Sequence, residues 1–402
     1  MPLRCSSTPG SCRGEPFGRV PRSLNGLTRG PHCQPSVEHQ SNGREHHATH
    51  SQSMIREILH RVLLSIDRYR RRRSARALVL AYHRIAAVEV DPWELCVTAE
   101  HFAEHLDVLQ QIAHPISLRE LVQAHKEGRV PDRAVAVTFD DGYADNLHTA
   151  KPLLEQYTIP ATVFVASGYV GQKREFWWDE LGGTLLRLGA LPEQLTLSIN
   201  GEDFQWALGE AAEWSEGEYQ NFRGWIVDGR EAPSLRHSLY LELHQLLQPL
   251  REVERRKVMD DLRAWSGVEL DTRPPSRPLS LDELPSLAQG ELIEVGSHTV
   301  THPFLSALPE RLQLDEMRRS KAFLEEHTGR PVTSLAYPYG NYAKESVKSA
   351  REAGFDCACS TVVDCVWRGS DRYQLPRAGV ENVDGEAFAK WLSQMLNYEM
   401  IT

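Results

Sequence analysis

No apolar run in this 402-residue chain is longer than a strand, and a bilayer-spanning helix needs about 20 such residues. The first fifty residues are polar, with no apolar stretch of the kind that marks a secretory signal. The location these absences lead us to expect is cytoplasmic. C-x-x-C pairs are missing as well. The seven cysteines (5, 12, 33, 96, 357, 359 and 365) therefore propose neither a zinc ribbon nor a disulfide framework, and most should be buried, reduced thiols. A basic excess is also lacking. The formal net charge is -10, which argues against a general nucleic-acid binder. No internal repeat is visible. What remains is an ordinary globular composition, 41% hydrophobic and 25% charged, enough for a sizeable core.

The chain divides by composition. Residues 1–53 lack apolar periodicity and carry scattered proline, glycine and charge, the pattern of a disordered extension. Met54 is the expected natural start. It opens an amphipathic helix over 54–74, with Ile55, Ile58, Leu59, Val62, Leu63 and Ile66 at helical spacing before the cluster Arg70–Arg73. That helix could dock on an anionic membrane surface or a partner. From residue 75 short apolar strands alternate with helical segments: ALVLAYH, a helix over 99–112, ISL at 116–118, a helix over 119–126, AVAVTF, a helix over 144–156 and ATVFVA. The alternation resumes with LIEVGSH, a helix over 309–328, LAYPYG, a helix over 344–353 and a strand near 357–361. This predicts an α/β fold with a parallel sheet or barrel over 75–402. Between about 171 and 290 the alternation breaks, and a helical insertion is expected there.

In such barrels the carboxyl ends of the strands carry the chemistry. Asp140, Asp141, Gly142 and Tyr143 follow AVAVTF; His298 follows LIEVGS, with His302 four residues on; His83 follows LVLAY. Two adjacent aspartates disfavour joint ionisation, and a bound cation relieves the cost. Histidines four apart share a face if the segment turns helically. Two histidines and one carboxylate make the three-ligand set of a catalytic zinc site with an open position for water. The other aspartate is then free to act as a base on that water. Gly142 permits a sharp turn, after which the Tyr143 backbone N–H could face a developing oxyanion.

T-F-D-D-G at 138–142, S-H-T-V-T-H at 297–302 and A-Y-P-Y-G at 336–340 together resemble the polysaccharide deacetylases, carbohydrate esterases of family 4 with the NodB-homology fold. The likeness spans roughly 77–383 and implies a distorted (β/α) barrel of the NodB-homology type with a helical insertion. It implies Asp140 as catalytic base, Asp141, His298 and His302 as ligands of a divalent metal (most simply Zn2+), and Tyr143 as the oxyanion N–H donor. Tyr337, Pro338 and Tyr339 would line the substrate groove. The usual arginine of the third motif is replaced by Ala336, and Arg377 in Q-L-P-R-A-G is the expected substitute. The usual late histidine of the family is not evident either, and His83 is the expected proton donor, as in relatives of the exopolysaccharide subgroup. Trp178 and Asp179, opening the insertion, are expected at the sugar, Trp178 by stacking on its face and Asp179 by bonding hydroxyls.

The expected activity is removal of acetyl groups from an N-acetylated, glucosamine-type glycan. Two alternatives stand beside it: an amide hydrolase for a small or lipid-linked sugar using the same metal, and a non-catalytic carbohydrate-binding relative.

Overall fold

The structure is a computed structural model, and residues 75–268 and 276–397 are described. The expected extension over 1–53 and the basic helix over 54–74 lie outside them. All described residues fall in one unit, 65–402.

Six strands lie side by side in chain order, each parallel to the next: β1 (Arg76–Tyr82), β2 (Ala134–Phe139), β3 (Ala161–Val165), β4 (Ile293–Ser297), β5 (Ser334–Ala336) and β6 (Cys357–Cys359). The first three read as unbroken apolar runs because both of their faces are buried. Alternate side chains go to opposite faces. Ala77, Val79, Ala134 and Ala136 belong to a small inner core with Phe164 and Cys359. Leu78, Leu80, Val135 and Val137 belong to the larger outer core beneath the helices. Inner positions are small because the sheet curls around them. Gly296 is the extreme case: a Cβ there would lie 2.4 Å from the Phe164 ring.

β7 (Val366–Trp367) pairs antiparallel with the start of β1, and β8 (Ala378–Gly379) pairs parallel with its end. Just before β8, Leu375 bridges Cys359 of β6. Residues 375–379 thus run from the last strand of the curl to the first and complete the distorted barrel.

Helices α1 (Ala99–Ile112), α2 (Leu118–Lys126) and α3 (Lys151–Tyr157) accompany the first strands. Thr98 caps α1 by accepting from the His101 N–H, and Ser117 with Glu120 forms a reciprocal capping box on α2. The expected ISL strand is therefore a cap and a first turn; the short strand lies just before it, at His114–Pro115 on β2.

The 171–290 segment holds α4 (Trp177–Leu185), α5 (Leu235–Leu247) and α6 (Glu252–Ser266). It is not purely helical. Strands Gln194–Ile199 and Glu202–Ala207 form an antiparallel hairpin, turned by Asn200 and Gly201, both at positive φ. These elements have their own apolar core, which takes in Tyr143 and Ala166 from the barrel loops. The later barrel helices are α7 (Glu310–Thr328), α8 (Lys344–Glu352) and α9 (Gly385–Asn397). Among the described residues no helix is long and apolar enough to cross a membrane, and Cys96, Cys357, Cys359 and Cys365 are buried free thiols.

Candidate active site

β2 sets the first element of the site. Thr138 faces the inner core and donates to the Leu80 carbonyl at 2.7 Å. Two residues on, Asp140 keeps the same parity and points inward just beyond the strand. Asp141 then takes φ +73 and Gly142 φ +84. A Cβ on Gly142 would sit 2.9 Å from Val165 Cγ1, so the turn needs glycine for space as well as for conformation.

The Asp141 carboxylate meets the two histidines. Its Oδ1 lies 3.3 Å from His302 Nε2 and 3.6 Å from His298 Nε2, and the two Nε2 atoms are 3.1 Å apart. No helical turn shapes the His298–His302 segment, contrary to the spacing argument. The loop instead places Thr299 at φ +65 and His302 at φ +51. Such left-handed positions cost on the order of 1 kcal/mol or more for a residue with a side chain, and they concentrate at functional sites. Glu316 of α7 holds the loop, accepting from the Val300 and Thr301 N–H groups at 2.8 Å each and from the Thr301 hydroxyl at 2.9 Å.

These three residues fit a metal. Their ligating atoms converge within 4.8 Å, and all three are buried. A tetrahedral centre with bonds of about 2.1 Å separates its ligands by roughly 3.4 Å, close to the spacings seen. His298 Nδ1 lies 2.8 Å from the Ala336 carbonyl, which fixes the tautomer with a lone pair on Nε2. Burial pushes the His298 pKa down to about 4. Burial and the neighbouring His298 keep His302 neutral too. Burial, with Asp140 beside it, drives Asp141 well above the usual carboxylate range. Neutral imidazoles turned towards a carboxylate that resists its own charge make a donor set that a cation would stabilise.

Asp140 is treated differently. Burial alone would raise its pKa, but Arg377 and His298 hold it well below the usual range. Arg377 Nη1 donates to Oδ1 at 2.7 Å and Nη2 to Oδ2 at 2.6 Å, a planar two-bond pairing. Its Nε donates to the Ser360 carbonyl at 3.0 Å and Nη1 reaches Thr138 Oγ1 at 3.2 Å. Arg377, which comes from the closing segment of the barrel, is thus the guanidinium that meets Asp140. His83, half-buried just beyond β1, is close enough for its charge to couple to Asp140. Burial lowers its pKa, and Asp140 opposes that.

Tyr143 forms a bridge with Pro278 in which the flanking residues carry the hydrogen bonds, Ala144 N–H to Arg277 O and Leu279 N–H to Gly142 O. In such a pair the central N–H points away from the partner strand. The Tyr143 hydroxyl donates to Asp179 Oδ2 at 2.7 Å and accepts from Trp178 Nε1 at 2.7 Å. Arg84 Nη1 lies 3.6 Å from Asp179 Oδ1 and Arg84 Nε 3.4 Å from Asp145 Oδ2. Asp179 is thus engaged by Tyr143 and Arg84. Trp178 is buried with its ring 4.8 Å from that of His302.

The A-Y-P-Y-G expectation needs correcting. Tyr337 and Pro338 are buried, and the Tyr337 hydroxyl donates to the Tyr373 carbonyl in the core. Neither can line a substrate surface. Tyr339, at φ +58, does reach the site: its ring lies 4.4 Å from His302 and its hydroxyl accepts from Trp177 Nε1 at 3.2 Å. Sequence reasoning missed Glu316, Arg84, Asp145 and the Ala336 carbonyl. Only Arg84 had a local signal, as the neighbour of His83.

Fold and site define an α/β barrel whose mouth carries a two-histidine, one-carboxylate cluster beside an arginine-bound aspartate. The polysaccharide deacetylase family model matches residues 127–195 and 280–358, which carry Asp140, Asp141, His298 and His302. Among curated proteins it is 29% identical over 118 residues to YxkH of Bacillus subtilis (strain 168), whose name places it with the polysaccharide deacetylases. It is 38% identical over 58 residues to the poly-beta-1,6-N-acetyl-D-glucosamine N-deacetylase of Staphylococcus aureus (strain MSSA476). These matches cover 29% and 14% of this chain but only 42% and 20% of the relatives' lengths. Among solved structures, IcaB from Ammonifex degensii superposes with a TM-score of 0.49 at 20% identity, covering 79% of this chain and 97% of that one. The Streptococcus pyogenes deacetylase PplD gives 0.46 at 18%, covering 80% and 99%.

Proposed function

We propose that this protein removes N-acetyl groups from an N-acetylated, glucosamine-type polysaccharide or oligosaccharide, in exopolysaccharide biosynthesis. The observation that carries the reading is the division of labour between adjacent aspartates: Asp140 is kept ionised by Arg377, while Asp141 faces two neutral histidines. The named substrate of the Staphylococcus aureus relative supports the choice of an N-acetylglucosamine polymer.

Asp141, His298 and His302 would hold a divalent metal, zinc by the character of the donors. Such an ion supplies Lewis acidity towards an acyl oxygen and a lowered pKa for water. Asp140 accepts the proton of the attacking water, and Arg377 keeps its carboxylate oriented and charged for that step. The Tyr143 N–H stabilises the negative charge that grows on the acyl oxygen. A C–O bond forms, the C–N bond breaks, and the proton taken by Asp140 is balanced by one delivered to the departing amine through His83. Acetate and a free amine result. Tyr339 and Trp178 wall the site on the His302 side, and Asp179 at the rim holds Tyr143 in place.

The test is acetate release from a panel of N-acetylated glycans by the wild type and Asp140→Asn, with and without chelator. Turnover should vanish in the variant while metal binding persists. Wild-type activity in Asp140→Asn overturns the base assignment, and no release from any glycan by the metal-loaded wild type favours a non-catalytic protein.

A further inference from the structure

Arg255 sits on α6, inside the insertion, and is 1% exposed. Its Nη2 donates to Glu252 Oε2 at 2.7 Å and to the Thr301 carbonyl at 3.0 Å. Its Nε and Nη1 have no hydrogen-bond partner in the protein, and neither has the nearby Tyr169 hydroxyl. Burying a cation with three of its five N–H donors unused is costly, and an apolar side chain of similar volume is often at least as stabilising in such a place. Stability alone is a poor reason for an arginine here.

What Arg255 touches suggests the reason. The N–H and hydroxyl of Thr301 are held by Glu316 of the barrel, and its carbonyl is held by Arg255 of the insertion. That carbonyl belongs to the peptide unit leading into His302, the residue at φ +51. His302 also differs from His298 in one respect. The Nδ1 of His298 is anchored on the Ala336 carbonyl, whereas the Nδ1 of His302 is buried with no partner. No hydrogen bond at Nδ1 orients the His302 ring from behind, so its backbone and its ring contacts must hold it on that side. The contacts are Trp178 at 4.8 Å and Tyr339 at 4.4 Å. Tyr339 is hydrogen-bonded to Trp177, and the Arg255 guanidinium lies 5.4 Å over the Trp177 ring. Arg255 therefore bears on His302 by two routes, the peptide plane before it and the aromatic wall beside it.

We propose that Arg255 is a positioning residue for His302, so that the insertion completes the metal centre of the barrel. This rests on Asp141, His298 and His302 being metal ligands. The test uses the full-length protein with zinc and cobalt, measuring zinc affinity by competition with a chromophoric chelator and the visible spectrum of the cobalt form. Arg255→Met should weaken zinc binding about tenfold or more, within the range seen when groups orienting metal ligands are removed, and should change the cobalt spectrum. Arg255→Lys keeps the charge without the planar fork and should lose roughly threefold, so it carries the test if the methionine variant does not fold. A folded variant with wild-type affinity and cobalt spectrum overturns the proposal. So does a variant whose melting temperature falls equally in the metal-free and zinc-loaded forms with no spectral change. His302→Ala separates the two levels: if it binds zinc like the wild type, the ligand assignment fails, whatever Arg255 does.

Discussion

Arg377 and Asp140 are joined by two parallel hydrogen bonds of 2.7 and 2.6 Å, with both side chains buried. Removing one partner of such a pair strands a charge in the interior, at a cost of about 3–5 kcal/mol. Arg377→Met should therefore lower the urea midpoint and reduce acetate release by about two orders of magnitude or more. Adding Asp140→Asn to that variant should restore part of the lost stability but none of the activity. Urea unfolding of the two variants beside the wild type checks this; equal stability in Arg377→Met and wild type would exclude a buried ion pair.

Metal removal should be visible without substrate. An ion that binds only the folded state stabilises it by mass action, about 2.7 kcal/mol at a hundred times the dissociation constant. Dialysis against a chelator should lower the melting temperature, and zinc should restore it. In His298→Ala the melting temperature should not respond to zinc.

A third expectation concerns acid. His105 is buried, with its Nδ1 3.3 Å from Tyr82 Oη and its Nε2 2.7 Å from the Val383 carbonyl. Burial pushes its pKa down to about 4 despite the Val383 bond. The unfolded chain, near the ordinary value of 6.5, takes the proton first. Stability from this group is complete above about pH 6.5 and falls as the pH drops towards 4, by at most about 1.4 kcal/mol per unit. His237 and His244, also pushed down to about 4 by burial, add to the same trend. The diagnostic is the difference: His105→Gln should show a shallower loss of stability between pH 6.5 and 4 than the wild type.

Gly296 provides a packing test. A methyl there meets the Phe164 ring at 2.4 Å, and Phe164 in turn lies under Arg377, 5.5 Å from its guanidinium carbon. Gly296→Ala should destabilise by about 1–3 kcal/mol through overpacking. Gly296→Ala combined with Phe164→Leu should recover much of this, as read by thermal unfolding.

Much of the site was legible because its residues directly follow apolar strands. Strand parity alone carries Asp140 inward from Thr138, and His298 comes directly after β4. How His298 and His302 converge was not legible. Four-residue spacing suggested a helical turn, whereas Thr299 and His302 take left-handed conformations that neither residue type advertises. The family resemblance implied Tyr337 and Pro338 as groove residues, yet both are buried, Tyr337 with its hydroxyl on the Tyr373 carbonyl. Glu316 and Arg255 act across long sequence separations and leave no local pattern. The expectation of a helical insertion missed the hairpin at Asn200–Gly201, although an Asn-Gly pair between alternating strands is a strong short-range signal.

The closing segment has a consequence for biosynthesis. Arg377 is 237 residues from Asp140 in sequence and belongs to the stretch that joins the last strand of the curl to the first. As the chain emerges from N- to C-terminus, the sheet and the histidine loop can assemble while Asp140 still lacks its counter-charge. Neutralising that carboxylate and sealing the barrel are one late event. A nascent or truncated chain ending before residue 377 should keep an unsealed barrel and an unpaired aspartate, and activity should arise only once residue 377 has been made.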